Sequence, residues 1–93
     1  MLTGKQCAAA RALLRWKQSD LSEAIRAQNG KLSVTAITAF ERTDRIRDSN
    51  AAAIVAALEA AGVVLIPENG GGAGVRLRDP DRADDVLEDE TDG

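Results

Sequence analysis

Catalysis needs groups that exchange protons, attack, or hold a metal, and this chain is poor in all three. It contains no histidine, and its single cysteine, Cys7, has no evident base to make it a nucleophile. Metal binding fares no better without histidine or a second thiol. The run Gly70-Gly71-Gly72-Ala73-Gly74 is not followed by the Lys-Ser or Lys-Thr pair of a phosphate loop, and the next segment reads as a strand. The acids beyond it lack the spacing of a calcium loop. No enzyme, metal or cofactor is expected.

What remains with chemical capacity is cationic. Arg42, Arg45 and Arg47 fall in one short stretch, and Lys17 and Lys31 join them as candidates. Such side chains can clamp a sugar-phosphate backbone, a contact that holds register without reading sequence. The alternative is a solvated surface in which they pair with Asp44 and Asp48. The formal charge of −3 hides an uneven division. Residues 1–78 hold eleven Lys and Arg against seven Asp and Glu, a net of +4, whereas residues 79–93 hold only Arg82 against eight acids, a net of −7. The first part is therefore basic, and a basic face attracts phosphate.

At 93 residues the chain has room for one core, and dimerisation is a ready way to add stability at this size. With no Tyr, one Trp and one Phe, that core must be aliphatic and packed between close helices. A lone thiol suits a reducing, cytoplasmic compartment, and Cys7 reads best as a small helix-packing residue. The longest apolar run, residues 51–66, is broken by Glu59 and Gly62 and falls short of the roughly 20 residues that span a bilayer. No membrane segment is expected.

These groups must be positioned by elements the sequence announces. Thr3 and Gln6 form a capping-box pattern, followed by Cys7, Ala10, Leu13 or Leu14, and Trp16 at helical spacing. A second helix is predicted over about 18–28, on Leu21, Ala24 and Ile25, and Asn29-Gly30 should stop it because both tolerate positive φ. Ser33 offers an N-cap to a third helix over 34–42. Asp48, Ser49 and Asn50 are caps for a fourth over 51–61, with Ile54, Val55, Leu58 and Ala61 on one stripe and Gly62 at its end. Val63-Val64-Leu65-Ile66 and Gly74-Val75-Arg76-Leu77-Arg78 then read as a β-hairpin around a Gly-rich turn. The first strand is apolar on both faces, so a second copy of the hairpin is the economical cover, using Val63, Val64, Leu65, Ile66, Val75 and Leu77.

Within this order stand Arg11, then Trp16-Lys17-Gln18-Ser19-Asp20-Leu21-Ser22-Glu23-Ala24, then Ser33-Val34-Thr35-Ala36-Ile37-Thr38-Ala39-Phe40-Glu41-Arg42, then a basic loop over 42–48. On these residues the chain resembles the XRE family, the lambda-repressor-like helix-turn-helix proteins, over about residues 5–62. The resemblance implies a mainly α fold: a helix-turn-helix domain of four to five helices over 1–62, followed here by the hairpin at 63–78 and a disordered acidic tail at 79–93. It implies that Gln18 opens helix 2 and bonds a DNA phosphate, and that the helix after Ser33 enters the major groove. It also implies that Arg11 and Glu41 form a buried structural ion pair between helices 1 and 3. Read from its residue type alone, Gln18 is also an ordinary polar helix opener.

In that arrangement Ile37 and Phe40 face the core. Val34, Thr35 and Thr38, with Ala39, face the bases, Ser33 at the helix start joins the DNA-binding set, and Lys17, Lys31, Arg42, Arg45 and Arg47 hold the backbone. The sequence departs from the family in two respects. The base-facing set lacks the Gln, Asn or Arg forks that read adenine or guanine, leaving methyl contacts to thymine, DNA shape or a partner to supply selectivity. The turn before Ser33 is also longer. The expected partners are double-stranded DNA and a second copy of the chain, with the acidic tail acting as a DNA mimic, a docking peptide for another protein, or a solubilising tail. The rival from another class is a protein-interaction or antitoxin-like module that uses the helices as scaffold.

Overall fold

Thr3 opens the first helix by reciprocal hydrogen bonds. In the computed structural model, which describes residues 2–68 and 70–79, its hydroxyl accepts from the Gln6 amide at 3.0 Å. Gln6 Oε1 in turn accepts from Thr3 N at 2.9 Å. Helix α1 (Gly4–Leu14) ends at Arg15, which takes the left-handed conformation at φ 58°. Helix α2 (Gln18–Ala27) follows at once, and Asn29 closes its far end at φ 67°.

Gly30 does not share that conformation, contrary to the sequence expectation; it is needed for space instead. A Cβ there would lie 2.8 Å from Ile25 Cγ2. The connection to α3 (Val34–Thr43) is fastened by Ser22, whose hydroxyl donates to the Leu32 carbonyl at 2.6 Å, and by burial of Leu32. Helix α4 (Asp48–Ala60) begins earlier than predicted: Arg47 is the N-cap, and Asp48, Ser49 and Asn50 form the first turn. The negative charge of Asp48 is well placed there, beside the positive end of the helix dipole.

Strands β1 (Val63–Ile66) and β2 (Gly74–Leu77) pair antiparallel, with Val63 opposite Leu77 and Leu65 opposite Val75. The protein is thus mainly helical with one small two-stranded hairpin. Packing runs from α1 to α3, α2, α4, β1, β2 and back to α1, closing a ring around Phe40, Leu21, Ile25, Ile37, Ile54, Leu58, Val63 and Cys7. Each large side chain among these is fully buried, which is worth about 1.5–3 kcal/mol apiece.

The ring accounts for most of the hairpin's apolar residues within the chain itself. Because strand side chains alternate, Val63, Leu65, Val75 and Leu77 share the inner face and pack on the core. Gln6, 5% exposed, fastens this face by donating to the carbonyls of Ile66 (3.2 Å) and Gly74 (3.1 Å). Helices α1 and α4 thus cover these four residues within the chain, where the sequence offered a second copy of the hairpin as the economical cover. Val64 and Ile66, half-buried, are left on the outer face.

No helix among the described residues is long and apolar enough to cross a membrane. The acidic tail expected over 79–93 lies, from residue 80 on, outside the described residues.

Helix α1 meets α3 so closely that Gly4 has no room for a side chain. A Cβ would lie 2.5 Å from the Phe40 carbonyl oxygen and 2.8 Å from Glu41 Cα, both backbone atoms that move only if the helices part. Alanine is favoured over glycine by about 1 kcal/mol inside a helix, but overpacking costs about 1–3 kcal/mol, and the immobile neighbours put this site at the upper end. Gly4→Ala should therefore lose about 2 kcal/mol in urea unfolding. A variant as stable as the parent would mean that the two helices are not in contact at this point.

Candidate nucleic-acid interface

Ser33 starts α3 by accepting from the Ala36 amide at 3.1 Å. Ile37 and Phe40 are completely buried and so set the helix's inner side. Helical spacing then turns Val34, Thr35, Thr38, Ala39 and Arg42 to the other side. Val34 is 40% exposed, and Thr35, Ala39 and Arg42 are exposed too. Thr38 is only half-buried and is spoken for: its hydroxyl lies 2.6 Å from Gln18 Oε1 and 3.0 Å from the Val34 carbonyl, and its one hydrogen serves these acceptors.

Gln18 is the hinge of a polar network that joins three helices. Its Nε2 donates to Glu41 Oε1 at 3.0 Å. Arg11 meets the same carboxylate in a two-point pair, Nε to Oε2 and Nη2 to Oε1, each at 2.8 Å, and its Nη1 donates to the Trp16 carbonyl. The Cys7 thiol adds a fourth donor to Glu41, at 3.2 Å. Four donors fill the sites a carboxylate offers. Burial pushes the Glu41 carboxyl up, but the hydrogen bonds from Arg11, Gln18 and Cys7 outweigh it and hold the group below its ordinary range. Those bonds also keep Arg11 charged, while burial and the Glu41 carboxylate drive the Cys7 thiol far above its usual range and leave it inert. Both ends of the Gln18 amide thus serve the interior, with one N–H left over for an outside acceptor.

Beyond α3 the chain is held so that cations project. Asp44 takes the left-handed conformation at φ 63°, and its carboxylate caps the Gly4 amide at 2.6 Å. Ile46 is half-buried against the core, and its neighbours Arg45 and Arg47 are exposed on either side. Lys17 is exposed at the start of α2, and Lys31 in the connection before α3. Among the described residues none of Lys17, Lys31, Arg42, Arg45 and Arg47 forms an ion pair. The alternative of pairing with Asp44 and Asp48 is not what the fold adopts: Asp44 is turned to Gly4, and Asp48 opens α4.

Two helix starts carry a cation where an acceptor usually sits. Lys17 and Arg47 are the N-caps of α2 and α4, and neither side chain caps its helix. The positive ends of both helices are already met by acids of the first turn: Asp20, which accepts from the Lys17 amide at 2.8 Å, and Asp48. What these starts offer an anion is the cationic side chain itself.

Elsewhere, a shallow groove of about 220 Å³ lies among Leu2, Gln6, Val55, Glu59, Leu65 and Pro67, on the hairpin side. Among the described residues no cluster of three or more potential metal ligands occurs.

Sequence reasoning missed the inward roles of Gln18, Thr38 and Gln6; it placed Cys7 in the packing but not its bond to Glu41. The capping pattern at Thr3 marked Gln6 as a helix-start residue, but nothing in local spacing signals its second contact with a hairpin 60 residues away. No family model matches the chain, and no curated protein matches it either.

Proposed function

We propose that the chain is a DNA-binding transcriptional regulator of the helix-turn-helix class, with α2 and α3 as the motif and α3 as the element that enters the major groove. The observation that carries this reading is the division of α3: Ile37 and Phe40 wholly inside, a row of small side chains outside, and exposed cations, without an ion pair among the described residues, at its end and in the following loop. The resemblance to the XRE family over about residues 5–62 supports the same reading.

In this arrangement Val34, Thr35 and Ala39 face base edges. Lys17, Arg42, Arg45 and Arg47 hold phosphates, and Lys31 extends the contact from the longer turn. Gln18 offers a phosphate only its remaining N–H, so it is chiefly a positioning residue. Arg11 and Glu41 keep the angle between helices and do not touch DNA. The protein acts as a homodimer, with Val64 and Ile66 on the hairpin's outer face at the two-fold axis and the two α3 helices about 34 Å apart, one turn of the duplex. DNA as partner places it with the nucleoid in the cytoplasm.

The test is a salt titration of binding to a mixed-sequence duplex, followed by fluorescence anisotropy. Five cations on phosphate predict a slope of log K against log salt of about −4.5 per subunit. No binding at low salt would shift the function to the protein-interaction reading, in which α3 contacts another protein.

A further inference from the structure

We propose that α3 reads its site chiefly through the C5 methyl group of thymine, with Val34 as the principal specificity residue. This rests on the DNA reading above and names what that face recognises.

Val34 and Leu13 are the exposed large hydrophobic side chains among the described residues. One exposed valine means nothing by itself; its surroundings give it meaning. The hydroxyl of Ser33 accepts from Ala36 and keeps a single hydrogen to give, one donor and not a fork. That of Thr38 is turned to Gln18 and to the Val34 carbonyl. Ala39 offers a methyl group and nothing else. Thr35 keeps a hydroxyl with no partner among the described residues, but a group that both donates and accepts bonds to any base edge and discriminates little. Arg42 carries the first forked donor along this side, about 12 Å down the axis from Val34, where it is placed for the backbone.

The outer side of α3 from 33 to 39 is therefore a methyl surface with no directional donor pair. In the major groove the one base feature complementary to such a surface is the thymine methyl. The exposed cations around it commit it to a polyanionic partner, because they would be stranded opposite an apolar protein surface.

The probes are two duplexes of equal length, one alternating adenine with thymine and the other alternating adenine with uracil. They carry the same charge and the same hydrogen-bonding edges and differ at C5. The full chain should bind the thymine duplex about four-fold more tightly for one seated methyl, the worth of burying that group, and about sixteen-fold if each half of a dimer seats one. Val34→Ala, at an exposed helix start, should keep its melting temperature, and its thymine-over-uracil affinity ratio should fall toward unity whatever happens to its overall affinity. Equal binding of both duplexes by the parent, or a preference untouched in Val34→Ala, overturns this inference and leaves DNA binding standing. Binding to neither duplex overturns the DNA reading and this inference with it.

Discussion

Arg11→Ala should lose about 3 kcal/mol of unfolding free energy at neutral pH, the low end of the cost of leaving one member of a buried pair alone. The two side chains are 18% and 9% exposed, so solvent softens the penalty without removing it. For a domain of this size such a loss lowers the melting temperature by about 12–24 °C. Acid should narrow the gap. In the parent, Glu41 is held below its ordinary value of 4.5, so its contribution is fully present above that pH and is lost as pH falls through the lower, folded value. Removing Arg11 takes away the foremost lowering hydrogen bond and its charge while burial stays, so the folded carboxyl should move up. The variant is then penalised at neutral pH and relieved as the group takes up a proton. Urea unfolding at pH 7 and near pH 4 checks both halves. A neutral-pH loss under about 0.5 kcal/mol, less than even an ordinary hydrogen bond contributes, would show that the network is not structural.

Reversing two charges in the loop, Arg45→Glu with Arg47→Glu, should lower affinity for a mixed-sequence duplex about a hundred-fold at low salt and reduce the salt slope by about two per subunit. Stability should change little. Both side chains are exposed and form no ion pair among the described residues, and the hydrogen bond at Arg45 comes from its backbone amide to Thr43 Oγ1. The loop is held by Ile46 and Asp44, which the substitutions leave alone. Unchanged DNA affinity in a folded variant would turn the arginines into a solvating surface and favour the interaction module.

The two experiments probe different layers of one design. Glu41 draws donors from α1 and α2 onto α3, so the outer side of α3 is presented by a polar knot that reaches it through Thr38. The loop cations add attraction without adding to that knot. Stability and binding should therefore separate cleanly between the two variants.

Helix starts and stops were readable because their causes are local. The Thr3 box, the Ser33 cap and the left-handed Asn29 each depend on residues within three or four positions. The start of α4 was displaced by three residues, since Asp48, Ser49 and Asn50 can all cap and only packing selects among such neighbours. Gly30 was credited with the right location for the wrong reason, because its need for space arises from Ile25 folding back over it.

By itself the sequence determined the order of the helices, the hairpin, the inner stripe of α3 and the division of charge, all properties of periodicity and composition. Tertiary structure alone decided what covers the hairpin, where the Gln18 amide points and which hydroxyls remain for a partner. Those outcomes depend on contacts between residues 20 to 60 positions apart, and no local pattern encodes the direction of a side chain that has several distant acceptors to choose from.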